Sequence, residues 1–158
     1  MNAILKTTMT AAEYRAMRAS FKAKGGRTPH GRGIAQAAWS DLGGHHHYYK
    51  SKAERRFAAY LEFKLTRGEI QSWTPEEKRF EFMALRHGVT SYLPDFRVTM
   101  NDGTIRYFEV KGWLDPKSRT ALKRMKLYYP EISITLIDKA WFKTRAPSLA
   151  ALVPHWEP

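Results

Sequence analysis

The stretch Tyr92–Lys111 leaves the chain few ways to fold. Phe96, Val98 and Met100 alternate with polar residues, Asn101-Asp102-Gly103 is a turn sequence, and Ile105–Lys111 returns. Alternation of period two around such a turn specifies an antiparallel hairpin. Register then decides which side chains meet. A two-residue loop, Asp102-Gly103, sets Asn101 against Thr104 and turns Asp95 away from Glu109. A three-residue loop, Asp102-Gly103-Thr104, sets Asn101 against Ile105, Asp95 against Lys111 and Arg97 against Glu109. The second register also gathers Phe96, Val98, Phe108 and Val110 on one side. Apolar grouping and a common loop type both favour it, so it is the register expected.

Around this hairpin the punctuation is clear. Ser51 and Glu54 form a capping-box pair, Phe57, Tyr60, Leu61 and Leu65 recur at helical spacing, and Gly68 marks a stop, so a helix is expected over 51–66. Lys78–Leu85 alternates, with Phe80, Phe82 and Ala84 on one side, and reads as a strand. Asp115 as N-cap and Pro116 at the first helical position open a further helix, with Leu122 and Met125 inward, ending before Pro130. Ile132, Ile134 and Leu136 form another strand. Upstream, Thr10 and Glu13 cap a helix to about Ala23, and 24–33 reads as a flexible basic arm. Residues 34–50 are ambiguous. The fold class expected is α/β, a mixed central sheet flanked by helices with a basic N-terminal helical arm. The expected organisation is an arm over 1–50, a core over 51–138 and a tail over 139–158 that packs back on the core.

Charge narrows the partner. Twenty-seven Lys and Arg face 15 Asp and Glu, a net +12. Such a surplus points to a polyanion, nucleic acid first and an anionic membrane second. No apolar run approaches the roughly 18 residues of a span, and Met1–Thr10 lacks a secretory apolar core. With no cysteine, disulfide scaffolds, Cys-ligated zinc and thiol catalysis are excluded, and a reducing cytoplasmic setting fits.

The residues that carry chemistry are Asp95, Glu109 and Lys111. On a strand, Glu109 and Lys111 share a face, and the expected register brings Asp95 to it. Converging carboxylates suit Mg²⁺, a hard cation that keeps several waters. Such an ion acidifies water and stabilises a leaving oxygen, while a lysine neutralises developing charge. That is equipment for phosphodiester hydrolysis. Taken alone, a Glu-X-Lys strand is most often a solvated salt bridge; the joint pattern of Pro94-Asp95, apolar hairpin and Glu109-Val110-Lys111-Gly112 is far rarer.

The run Tyr92-Leu93-Pro94-Asp95-Phe96 followed by Tyr107–Trp113 resembles the PD-(D/E)xK nuclease superfamily. Over 51–138, from Ser51–Glu54 through the basic helix 117–129 to 132–137, it is similar to the bacteriophage endonuclease I family of Holliday-junction resolvases and to related phage and prophage proteins. The resemblance implies a restriction-endonuclease-like core, a homodimer acting on four-way DNA junctions in the host cytoplasm, and Mg²⁺ for which Mn²⁺ substitutes. It implies that Glu54 joins Asp95 and Glu109 as a metal ligand, with Lys111 beside them. Glu54 is also explained by the capping box alone. The Asp-to-Glu spacing is longer here than in the family, and 1–50 has no counterpart.

Lys117, Arg119, Lys123, Arg124 and Lys126 lie on a helix with no acid between Lys117 and Tyr129, which favours phosphate contact. Arg55 and Arg56 lie beside Glu54, where they would help hold the scissile DNA strand. His45–His47, after Gly43-Gly44, read as a solvated loop, and Glu76 and Glu77 as surface charge. Tyr48 and Tyr49 fit base stacking or anchoring of the arm equally. The rivals are a transposon-end or restriction-type nuclease, and a basic DNA-binding protein without catalysis.

Overall fold

The computed structural model describes residues 37–83, 85–154 and 156. The helix expected over 10–23 and the arm over 24–33 lie outside them. In chain order the elements are β1 (Ala38–Leu42), β2 (His45–Tyr49), α1 (Lys52–Thr66), β3 (Ser72–Pro75), β4 (Phe80–Glu81), β5 (Ser91–Tyr92), β6 (Phe96–Thr99), β7 (Ile105–Val110), α2 (Pro116–Tyr128), β8 (Ile134–Ile137) and α3 (Lys139–Leu152). The described residues are mixed α/β: a four-stranded sheet of order β3-β6-β7-β8, two-stranded sheets β1-β2 and β4-β5, and three helices. β6 runs antiparallel to both β3 and β7, and β8 lies parallel to β7 after the α2 crossover.

The central hairpin differs from its expected register. Thr99 pairs with Ile105 and Phe96 with Phe108. Met100 N–H donates to Thr104 O at 2.8 Å, so the three-residue loop is Asn101-Asp102-Gly103, one position earlier than expected. Asp102 is the cause. Its carboxylate accepts from Thr104 N–H at 2.9 Å and Thr104 Oγ1 at 2.7 Å, drawing Thr104 into the pairing. Gly103, at φ +79°, takes the left-handed position. The slip is two residues along the partner strand, so faces are preserved. Phe96, Val98, Phe108 and Val110 do share one side, as expected, packed with Phe57 and Leu61 of α1. Phe57 is the hub, with ring centroids 5.4 Å from Phe96, 5.3 Å from Phe108 and 5.5 Å from Trp141 of α3. On the opposite face Tyr107 packs with Phe80, Phe82 and Tyr92 and with Ala121 and Met125 of α2.

Local capping chemistry sets the helices. Ser51 Oγ accepts from Glu54 N–H at 3.2 Å, and Asp115 Oδ1 from Ser118 N–H at 2.8 Å with Pro116 opening α2. The tail folds as α3, capped by Asp138 accepting from Trp141 N–H at 2.9 Å, and its Trp141 packs against the main core. The strand expected over 78–85 is only Phe80–Glu81, because β5 offers just Tyr92 and Ser91 as partners. The ambiguous stretch is the β1–β2 hairpin. It turns at Gly43 (φ +59°), where an added Cβ would collide with the Glu62 carboxylate and stand 3.0 Å from Trp73. The His45–His47 triplet is therefore strand, not loop.

Candidate active site

Three carboxylates meet at one end of the sheet: Glu54 from the first turn of α1, Asp95 just before β6, and Glu109 near the end of β7. Their residues are only 9%, 8% and 5% exposed, which is unusual for groups that water solvates so well. Asp95 is locked by main chain. Its Oδ2 accepts from Val110 N–H at 2.7 Å, and its carbonyl accepts from Glu76 N–H at 2.9 Å. One step beyond the Phe96–Phe108 pair, it faces Glu109 and not Lys111, which corrects the expected pairing. Glu109 stands between two donors. Lys111 Nζ lies 3.3 Å from Oε1, and the Tyr92 hydroxyl donates to Oε2 at 2.8 Å.

Glu54 is brought to the same place but is otherwise engaged. Its Oε2 accepts from Lys50 N–H at 2.7 Å, and its Oε1 from Ser51 Oγ at 3.1 Å. The capping role and the site role fall on one side chain. Among the described residues no three His, Asp or Glu side chains form a ready ligand set.

Electrostatics show what the cluster lacks. Burial first, then the charges of Glu109 and Glu54, push the Asp95 carboxyl up to about 8, against the Val110 N–H and Lys111. Burial also raises Glu54, against Lys50 N–H, Ser51 and the two lysines. Burial works to discharge the Lys111 ammonium, but Glu109, Asp95 and Glu54 outweigh it and hold Lys111 above its ordinary value. Lys50 behaves alike, with Glu76, Asp95 and Glu54 prevailing over burial. The site has more negative charge than its lysines neutralise. Hard carboxylate oxygens that are short of positive charge suit a divalent cation that retains water, and Asp95 and Glu109 are the residues that could hold one.

Sequence reasoning did not place Tyr92, Lys50 or Glu76 in the site. Tyr92 could have been found, since it precedes Asp95 by three residues in the same motif. Glu76 had no local signal. It is the one described non-glycine residue with positive φ (+42°), and it pairs with Lys50 and stands 4.0 Å from His47 Nε2. It is part of the site's wall and not the free surface charge expected. A cavity of about 440 Å³ lies beyond it, lined by His45–His47, Thr74 and Glu77. The histidines are occupied: His45 Nε2 lies 2.9 Å from Trp73 O, and His46 Nδ1 lies 2.7 Å from Asp41 while its ring stacks on Trp39.

Of the expected phosphate-facing cations, Lys117, Arg119, Lys123 and Lys126 are exposed on α2. Arg124 is half-buried and donates to the Val89 carbonyl, tying α2 to the β4–β5 connection. Arg55 is half-buried beside Glu54, and the Arg56 guanidinium lies over Trp156 at 5.6 Å. Among the described residues no helix is long and apolar enough to cross a membrane. No protein-family model matches the chain, and no curated protein sequence does.

Proposed function

We propose that this chain is a metal-dependent endodeoxyribonuclease with a PD-(D/E)xK-type core, acting on branched DNA. The observation that carries the reading is the buried meeting of Asp95 and Glu109 with Lys111 Nζ 3.3 Å from the latter, at adjoining strand ends. A structural ion pair needs one carboxylate per lysine; a second, fully desolvated one raises the cost of folding and calls for a functional explanation. The chain order also supports the reading: a helix carries the first acid, and a hairpin the other two and the lysine.

In this reading Asp95 and Glu109 hold Mg²⁺ or Mn²⁺, with Glu54 as the third carboxylate once it releases Lys50 N–H. The metal would supply Lewis acidity toward a phosphate oxygen and a lowered pKa for water. Lys111 orients the attacking water and neutralises charge developing on the phosphate. Tyr92 fixes the Glu109 carboxylate. Lys117, Arg119, Lys123 and Lys126 bind the backbone, which requires no base readout. The preference for four-way junctions rests on the family resemblance, and paired nicks need two sites and therefore a second copy of the chain.

The test is cleavage of an immobile four-way junction and a matched linear duplex, in Mg²⁺ or EDTA. Metal-dependent paired nicks on the junction alone are expected, abolished by Asp95→Ala or Lys111→Ala while junction binding persists. Equal cutting of both substrates would reject branch selectivity. Tight binding with no cutting would leave a DNA-binding protein.

A further inference from the structure

Two residues beyond Lys111 the chain presents an indole to solvent. Trp113 is 71% exposed, whereas the other four tryptophans are buried or half-buried. The Arg119 guanidinium lies 5.9 Å from its ring centroid. That guanidinium is itself held, with Nε donating to Leu114 O at 3.0 Å. One face of the indole is thus backed by a fixed planar cation, and the exposure falls on the rest of the ring. Exposing so large an apolar group gains nothing for folding.

Its position matters. Consecutive Cα atoms are about 3.8 Å apart, so Trp113 stands within roughly 8 Å of the Lys111 backbone. The helix that carries Arg119, α2, also carries Lys117 and Lys123, both exposed. Because Arg119 of that helix lies over the ring, a polyanion drawn to α2 comes near Trp113. Inside a duplex both faces of a base are covered by its neighbours; only an unpaired or unstacked base has a face free for an indole. Resting on the DNA-cleaving reading above, we propose that Trp113, backed by Arg119, is a stacking platform for a nucleobase unstacked at a branch point or in a single strand, beside the scissile phosphate. Branch selectivity then comes from the base the branch point frees, since a phosphate-binding helix alone cannot tell a junction from a duplex.

The experiment uses the full chain carrying Asp95→Asn, so that DNA is bound and not cut. Fluorescence anisotropy is measured with a labelled four-way junction, a single strand and a perfect duplex. Trp113→Ala is expected to weaken junction and single-strand binding about tenfold, as loss of one stacked base does, and duplex binding less than twofold. Trp113→Phe restores most of the loss. Arg119→Lys, which keeps the charge but not the plane, gives an intermediate loss on the same two substrates. Quenching of indole emission by the single strand, smaller in Trp113→Phe, tests the contact independently of the alanine variant. Equal losses on all three DNAs, or no loss, would overturn the platform and leave the nuclease reading standing. Absence of DNA binding in the parent chain overturns both, as does Trp113-dependent binding to phosphatidylserine vesicles with none to DNA.

Discussion

Asp95→Asn should stabilise the metal-free protein at neutral pH, although it alters a buried group in a well-packed site. In the folded chain the Asp95 carboxyl is pushed up to about 8 from an ordinary 3.8 by burial and by Glu109 and Glu54. A carboxyl raised on folding contributes stability that is complete below its unfolded pKa and is lost as pH rises through its folded one. Each pH unit across that window costs about 1.4 kcal/mol. At pH 7, some three units above the unfolded value, the loss is of order 4 kcal/mol. Asn carries no titration and keeps an oxygen for the Val110 N–H. Urea unfolding in EDTA at pH 5, 6, 7 and 8, followed by tryptophan emission, measures the effect. Wild type should lose stability with pH more steeply than the variant by about one proton, the gap reaching a few kcal/mol by pH 8. His47 and Glu54 titrate in both proteins and largely cancel in the comparison. Mg²⁺ should close the gap from the wild-type side and leave the variant unmoved. Parallel pH slopes, or a variant less stable than wild type at pH 7, would show that Asp95 is ionised and already compensated.

Three further outcomes follow from the same geometry. Tyr92→Phe removes the donor to Glu109 Oε2 and should lower kcat about tenfold with KM nearly unchanged, costing roughly 1.5–3 kcal/mol in urea unfolding. Glu54 has two roles that substitutions separate: Ser51→Ala should cost about 1 kcal/mol of stability with cleavage intact, whereas Glu54→Gln should keep most stability and lose cleavage, read by thermal unfolding and junction nicking. Phe57→Ala, at 1% exposure among Phe96, Phe108 and Trp141, should destabilise by about 3–5 kcal/mol in chemical denaturation.

What could be read from the sequence was local. The Ser51–Glu54 box, the Asp115-Pro116 start and the Asn101–Gly103 turn each depend on neighbours a few residues apart, and each forms. The hairpin register was misplaced because Asp102 takes Thr104 by a side-chain bond that apolar alternation does not register. The misplacement was even-numbered, so Asp95 and Glu109 still reached one face, which is why the candidate site was legible despite the wrong partner. The α3 helix was not, since Pro147 lies inside it and its apolar residues follow no clean period. Three adjacent histidines after two glycines look like loop, yet the glycines are the turn and the histidines the strand. Glu76 was out of reach altogether: its place follows from β3 pairing with β6, a contact between segments separated by about twenty residues.

The three carboxylates are not equally free to respond to a cation. Asp95 is bound by the Val110 N–H and anchored through its own carbonyl, so moving it would open the strand pair. Glu109 is held from both sides by Lys111 and Tyr92. Among the described residues Glu54 is hydrogen-bonded to the Lys50 N–H and the Ser51 hydroxyl, at a helix end beside the exposed Lys50. Releasing it costs no more than a cap, about 1 kcal/mol. Leaving Asp95 without a counter-charge costs several times that. The cheapest way for the site to satisfy an incoming cation is therefore to hold the two strand carboxylates still and turn the helix glutamate. The first turn of α1, and not the hairpin, is where binding should register, as a changed environment and altered amide exchange at Lys50 and Ser51.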